Sequence, residues 1–301
     1  MTEETTKTEE KKKFNFNYDK HYKLLLFIPI VLLLLSLVYL GIFYSKNGDI
    51  MYKDVSLSGG TSITINGEIS QSQLEPTLRE KFPDVFFTQL ADITTGKQIA
   101  LIVESSSSEE LQSEIESVIG YQLNEENSSI EFAGASLSQD FYRQLVIALI
   151  ISFVLMSIVV FVMFRTFIPS IAVIFAVFAD IAIPLAVINF LGIKLSAAGI
   201  AAFLMLIGYS VDTDLLLTSR ALKSRDEPLN TRIFKAFKTG SFMTITALAA
   251  VLPAFFIVTG LPDSFRQIFL ILAIGLGADL MNTWLTNAGI IKWYCVKKGI
   301  Q

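Results

Sequence analysis

The chain has 301 residues, 52% of them hydrophobic and 24 of them Phe, with a mean hydropathy of +0.55. That is more apolar surface than a water-soluble domain hides, which excludes the ordinary globular classes and implies a polytopic α-helical membrane protein. The formal charge of −4 masks a strong asymmetry along the chain, and the single cysteine, Cys295, rules out an intrachain disulfide.

Residues 1–23 are rich in Lys and Glu and read as a polar tail that is disordered at least to about residue 20. The only histidine, His21, falls there and reads as solvated rather than as a ligand. No spacing of Cys, His, Asp or Glu suggests a metal centre, and no cofactor is expected. Residues 24–44 form the first apolar run, too long for the core of a cleaved signal and without a small-residue cleavage site, so it is expected to remain as an anchor.

Residues 45–143 change character. They carry 6 Lys and Arg against 16 Asp and Glu, and they read as a folded acidic domain outside the bilayer. Thr61 to Ile65 alternates as a strand does, and Ser70-x-x-Gln73 predicts a capping box that opens a helix to about Phe82. Val85 to Leu90 and Lys97 to Glu104 are two strand-like runs joined across Thr94-Thr95-Gly96. Ser107-x-x-Glu110 predicts the cap of a second helix to about Ile119, and Ser129 to Ala135 a last strand. The order β-α-β-β-α-β predicts a ferredoxin-like, split βαβ arrangement.

Residues 144–291 then predict five membrane helices: Leu145 to Phe164, Ile168 to Phe190, Leu195 to Leu217, Phe242 to Leu261 and Ile268 to Ile290. With the first run they make six spans in a one-plus-five pattern, each close to the ~20 apolar residues that cross ~30 Å of hydrocarbon. Lys and Arg cluster before span one, at Arg165, within the loop 218–241 and in the tail 292–301. Their alternation puts both termini on the cytoplasmic side and the 45–143 domain on the other, and it accounts for the basic clusters without any nucleic-acid partner.

Four acids fall at membrane depth. Asp180 and Asp279 lie at the middle of their spans, whereas Asp212 lies ~9 Å and Asp214 ~12 Å from the centre of theirs, at ~1.5 Å per residue. An Asp in hydrocarbon costs roughly 2.5 to 3.5 kcal/mol on insertion scales, so such residues face a bundle interior or a wet path. No Lys or Arg lies within any of the six runs to pair with them. Two apart on a helix, Asp212 and Asp214 point to different faces and cannot share a site. Ala197, Ala198, Gly199, Ala201, Ala202, Gly208 and Ser210 make this span small-faced and suited to the bundle centre. That favours an inward Asp212 as the protonatable group, with Asp214 near the interface. Asn189, Asn282, Thr283 and Asn287 either extend a polar path or hold helices together. Gly275-Leu276-Gly277-Ala278-Asp279 differs from an intramembrane aspartyl-protease motif by one inserted residue, which rotates the acid by ~100°, so no enzyme activity is expected.

Gly208-Tyr209-Ser210-Val211-Asp212-Thr213-Asp214, followed by Arg220, resembles the fourth-span signature of the SecF protein-export family in its archaeal form. Asp54-Val55-Ser56-Leu57-Ser58-Gly59-Gly60-Thr61 is similar to that family's entry motif after span one. The resemblance implies half of a pseudo-twofold unit of the resistance-nodulation-division type, with SecD as its partner, near the Sec translocation channel and in contact with exported polypeptides and membrane lipid. It further implies use of the proton gradient, with Asp212 matching the coupling acid of the SecD member. Bacterial relatives carry an arginine in the fifth span, and Phe242 to Leu261 has none. The alternative is a small-molecule or lipid exporter of the same superfamily, against which the modest size of the 45–143 domain argues.

Overall fold

The computed structural model describes residues 18–92, 95–106, 110–223, 227–257 and 263–300. Six of its helices are long and apolar enough to cross a membrane. In chain order they are α1 (Tyr18–Asn47), then, after the short α2 (Val55–Ser58) and a sheet-bearing segment, α5 (Ala135–Phe164), α6 (Phe167–Phe190), α7 (Ala197–Lys223), α8 (Leu229–Ile257) and α9 (Asp263–Met281). The last continues through a π-helical stretch, Asn282–Asn287, into α10 (Ala288–Lys297).

Between α2 and α5 lie β1 (Gly60–Asn66), α3 (Gln71–Lys81), β2 (Phe86–Ala91), β3 (Gln98–Ser105), α4 (Leu111–Ile119) and β4 (Ser128–Ala133). The strands form one sheet in the order β2-β3-β1-β4 with every neighbouring pair antiparallel. Strand side chains alternate between faces, and here the alternation is decisive. Ile63 and Ile65 of β1 and Leu101 and Val103 of β3 turn to one side, where Leu74 and Leu78 of α3 and Leu111 and Ile115 of α4 close a core.

The other face of the sheet carries Ser62, Thr64, Ile102, Glu104 and Glu131. It roofs a cavity of about 320 Å³ whose floor is the end of the membrane bundle: the α6–α7 connection, Phe255 of α8 and Arg266, Gln267 and Leu270 of α9.

Local expectations and structure differ in instructive places. Ser70 is the N-cap of α3, but its hydroxyl sits 2.8 Å from that of Ser72 and caps no backbone N–H, so the capping box is not made. Helix α5 begins ten residues before the apolar run it carries, because the polar stretch from Ala135 continues the helical hydrogen bonding above the membrane-depth portion. Thr94, the Ser107 cap, residues 1–17, Pro262 and the end of the fifth apolar run at Leu261 lie outside the described residues.

Within the bundle α6 is the enclosed helix, with buried residues over most of its length, whereas α1, α5 and α8 leave long apolar faces uncovered. Small residues set the close approaches. A Cβ on Gly199 would stand 2.5 Å from the Gln267 side chain, one on Gly275 would meet Leu206 at 2.3 Å, and one on Gly240 would meet the Trp284 ring at 2.5 Å. The glycines of α7, α8 and α9 therefore let these three helices and the π stretch interlock.

Candidate functional site

The centre of the bundle is polar. Asp180 on α6 is 1% exposed, and Asp214 on α7 and Asp279 on α9 are 0% exposed. Ser210 joins the first to the third: its hydroxyl is hydrogen-bonded to Asp180 Oδ2 and lies 3.0 Å from Asp279 Oδ1. Thr213 Oγ1 lies 2.9 Å from the same Asp279 oxygen and 2.9 Å from the Ser210 carbonyl. Thr283 joins the third acid to the second, with Oγ1 3.1 Å from Asp279 Oδ1 and 2.9 Å from Asp214 Oδ1. Two amides complete the set: Asn282 Nδ2 donates to Asp180 Oδ1 at 2.6 Å and Asn287 Nδ2 to Asp214 Oδ1 at 2.6 Å.

Each helix has a local reason to present its groups here. Pro184 lacks the N–H that would bond the Asp180 carbonyl, which loosens α6 at its acid. The spacing Ser210, Thr213, Asp214 is i, i+3, i+4, one face of α7. Asn282–Asn287 adopts the wider π turn, which changes the helical register just after Asp279. As a result Asn282 turns to α6 while Thr283 and Asn287 both reach Asp214. Such stretches are held by tertiary contacts, and here Trp284 packs edge-on against Phe237 with ring centroids 5.3 Å apart.

Among the described residues none of the three acids forms an ion pair, and Asp214 Oδ2, Asp279 Oδ2, Asn282 Oδ1 and Asn287 Oδ1 are buried without a hydrogen-bond partner. All four are acceptor oxygens. Thr244 of α8 adds a further hydroxyl beside Asp279.

Asp212 is a correction. It lies on the exposed face of α7 together with Gly208, away from the other acids, and the residue expected near the interface, Asp214, is the one sealed inside. The reason is the neighbours: Asp180 and Asp279 approach α7 from the side of Ser210 and Thr213, and Asp212 is on the opposite face. Arg220 stays outside the centre, donating to the Lys235 carbonyl at 2.8 Å and to Thr239 at 3.0 Å, whereas the Tyr209 hydroxyl is buried on the side of Thr244 and Asp279. Of the four polar candidates, Asn282, Thr283 and Asn287 join the acids, whereas Asn189 donates to the Ile50 carbonyl at 2.7 Å. Thr213 also joins the acids, and the sequence signal for it is its i+3 spacing from Ser210.

A second polar assembly holds the sheet to the bundle. Asp54 caps α2 by accepting from Ser56 N at 2.9 Å and Ser56 Oγ at 2.5 Å, and Ser56 Oγ in turn accepts from Ala197 N, the first residue of α7, at 2.9 Å. The backbone adds Asp54 N to Leu195 O at 3.0 Å and Leu195 N to Tyr52 O at 2.6 Å. Gly59 and Gly60 follow with φ of +85° and +122°. A Cβ on Gly59 would stand 2.3 Å from Ala135 Cα of α5, and one on Gly60 would stand 2.3 Å from the Ser105 carbonyl of β3. The Asp-to-Gly-Gly motif is therefore a joint where α2, α5, α7 and β3 meet, passable only by residues without side chains. Gln267, not foreseen from the sequence, fastens the same loop: Oε1 accepts from Ser196 N at 2.7 Å and Oγ at 2.6 Å, and Nε2 donates to the Lys194 carbonyl. Lys194 closes the roof with an ion pair to Glu104 at 2.5 Å.

Residues 114–297 match the family described as protein export membrane protein SecD/SecF, C-terminal. A protein-export membrane protein SecF from Methanolacinia petrolearia is 37% identical over 290 residues, covering 95% of this chain and 99% of that one. One from Methanocaldococcus jannaschii is 35% identical over 279 residues, covering 91% and 96%. Among solved structures, SecDF from Thermus thermophilus, a translocon-associated membrane protein, superposes with a TM-score of 0.72 at 21% identity over 93% of this chain and 38% of that longer one, a likeness of fold. The family match spans well over half of the chain and the archaeal relatives align along nearly all of it, so this protein belongs to the archaeal SecF family of protein-export membrane proteins.

Proposed function

We propose that this chain is an accessory subunit of Sec-dependent protein export that works with a SecD partner, and that Asp180, Asp214 and Asp279 couple a proton gradient to that work. The export role is supported by the names of the aligned relatives and by the shared SecDF fold. The single observation that carries the proton reading is a count of donors. Ser210, Thr213 and Thr283 each own one hydroxyl proton, and each hydroxyl has two acceptor oxygens within hydrogen-bond distance. No arrangement of those protons fills every contact. A proton on a carboxyl fills one, and moving it from Asp180 through Ser210 to Asp279, or from Asp279 through Thr283 to Asp214, only redistributes which contact is filled. The trio thus spans three helices whose mutual packing depends on where the proton sits, and that is the property a coupled carrier needs. One charge crossing 100 mV is worth ~2.3 kcal/mol, the scale of a few buried hydrogen bonds.

In this reading the segment between α2 and α5 is the ferredoxin-like domain of a one-plus-five layout and lies outside the cytoplasm, with both termini inside. The antiparallel order β2-β3-β1-β4 with both helices on one face supports the first part. The basic residues around Arg165, Lys223 and Lys297, against Lys194 alone in the loop at the sheet end of α7, support the second.

The test is export into vesicles carrying this chain with its SecD partner and the translocation channel. Asp279→Asn should remove the gradient-dependent increment of export while leaving the gradient-independent rate. Full gradient-dependent export by that variant would reject the coupling.

A further inference from the structure

At the joint, beside the backbone bonds of Asp54 and Tyr52 to Leu195, one carboxyl group acts on the start of α7 through a serine. Ser56 Oγ gives its proton to Asp54 and its lone pair to the N–H of Ala197, so the first turn of α7, the helix that carries Ser210, Thr213 and Asp214, is capped by a serine whose orientation the aspartate sets. Ala197 N is one of the N–H groups at a helix start that no intrahelical carbonyl can satisfy. Asp54 lines the cavity under the sheet, which it shares with Glu104 of β3, Glu131 of β4, Lys194 of the α6–α7 connection and Arg266 of α9. Of these, Lys194 is paired with Glu104, and Arg266 lies over the Phe255 ring at 4.9 Å.

We infer that Asp54 is a positioning residue that makes the docking of the sheet-bearing segment onto the start of α7 depend on pH, through the relay Asp54–Ser56–Ala197. The relay is separate from the buried trio and does not rest on the proton coupling proposed for it.

The sign follows from the surroundings of Asp54. Burial, opposed by the Ser56 bonds and reinforced by the like charges of Glu104 and Glu131, pushes its carboxyl up to about 7 from an ordinary 3.8. An acid whose value is raised in the docked state binds its proton more tightly there than when the joint opens to water. Docking is therefore tightest at low pH, weakens as pH climbs from ~4 to ~7, and levels off above that range, by about tenfold per pH unit in its middle. Ionised Asp54 draws the joint toward water, and neutral Asp54 lets the sheet settle on the bundle.

Amide hydrogen exchange of Ala197 in the full chain, reconstituted in nanodiscs and corrected for the intrinsic pH dependence of exchange, reads the relay directly. In the wild type the protection of Ala197 should fall about tenfold between pH ~5 and ~6 and reach a plateau above ~7. Asp54→Asn keeps an acceptor for Ser56 but cannot ionise, so its protection should be high and flat across the same range. Ser56→Ala should lose protection at every pH while Ile63 and Val103 of the sheet core stay protected, which separates loss of the relay from unfolding. The readout needs neither a gradient nor export, so failure of the trio and failure of the relay give different results. A flat profile in the wild type, or an unaltered pH dependence in Asp54→Asn, would overturn the assignment.

Discussion

Ser210 stands between Asp180 and Asp279 with one hydroxyl proton and a carboxyl oxygen on either side. Removing the hydroxyl should break the link between these two carboxyl groups, leaving Asp180 held by Asn282 alone among the bonds described. Ser210→Ala is expected to lower stability by ~1–3 kcal/mol, the cost of stripping buried polar groups of a partner, and to suppress gradient-driven export. Ser210→Thr keeps the hydroxyl and should retain export. Thermal unfolding in detergent and vesicle export measure the two effects, and wild-type behaviour of Ser210→Ala in both would argue against a shared proton.

Asp212 and Asp214 lie two residues apart on α7 and meet opposite surroundings. Asp214→Asn should abolish the gradient-dependent part of export, since it replaces the acid that Thr283 and Asn287 hold. Asp212→Asn should leave that part in place, because Asp212 touches none of the trio. The reverse result in the same vesicle assay would relocate the carrier to the exposed face.

Gly59 and Gly192 both have positive φ, +85° and +70°, but only the first is crowded. Gly192→Ala meets nothing within 4 Å and should cost only the ~1–2 kcal/mol of a left-handed residue. Gly59→Ala would drive a methyl into the backbone of Ala135 and is expected to prevent the sheet from seating on α5. Limited proteolysis between α1 and α5 should show Gly59→Ala cut rapidly and Gly192→Ala cut little faster than wild type.

Gln267 satisfies three groups of the α6–α7 connection at once. Gln267→Leu fills similar space and leaves Ser196 N, Ser196 Oγ and the Lys194 carbonyl without that partner, at ~1–3 kcal/mol for each group that stays buried. Gln267→Glu keeps the acceptor for Ser196 and should be milder. A drop in unfolding temperature for the leucine variant that exceeds the drop for the glutamate variant is the expected outcome.

Much of this architecture was legible in the chain. The six apolar runs needed only length and composition, because hydrocarbon demands ~20 apolar residues and a helix satisfies its own backbone. The strand at Thr61 to Ile65 was visible because its Ile side chains pack on helices and its Ser and Thr side chains do not, which writes alternation into the sequence. Lys97 to Glu104 was visible instead as a short apolar run next to a turn signal, and it is buried on both faces from Ala100 on. The Ser70 capping box failed because a side-chain cap is a local option that a neighbouring hydroxyl, here Ser72, can take away. The role of Gly59 and Gly60 as a joint was hidden, since a close approach belongs to two segments, and Ala135 lies far along the chain.

What the sequence determined by itself was the inventory: six spans, a sheet-bearing acidic segment, four acids at membrane depth and the certainty that Asp212 and Asp214 face apart, since two residues turn a helix by ~200°. What it did not determine was which of those two faces the bundle. Helical periodicity fixes angles between residues on one helix and says nothing about the azimuth of that helix among its neighbours. The tertiary structure decided it by bringing Asp180 and Asp279 to the side of Ser210 and Thr213, and by opening a π turn at Asn282–Asn287 that carries Thr283 and Asn287 onto Asp214.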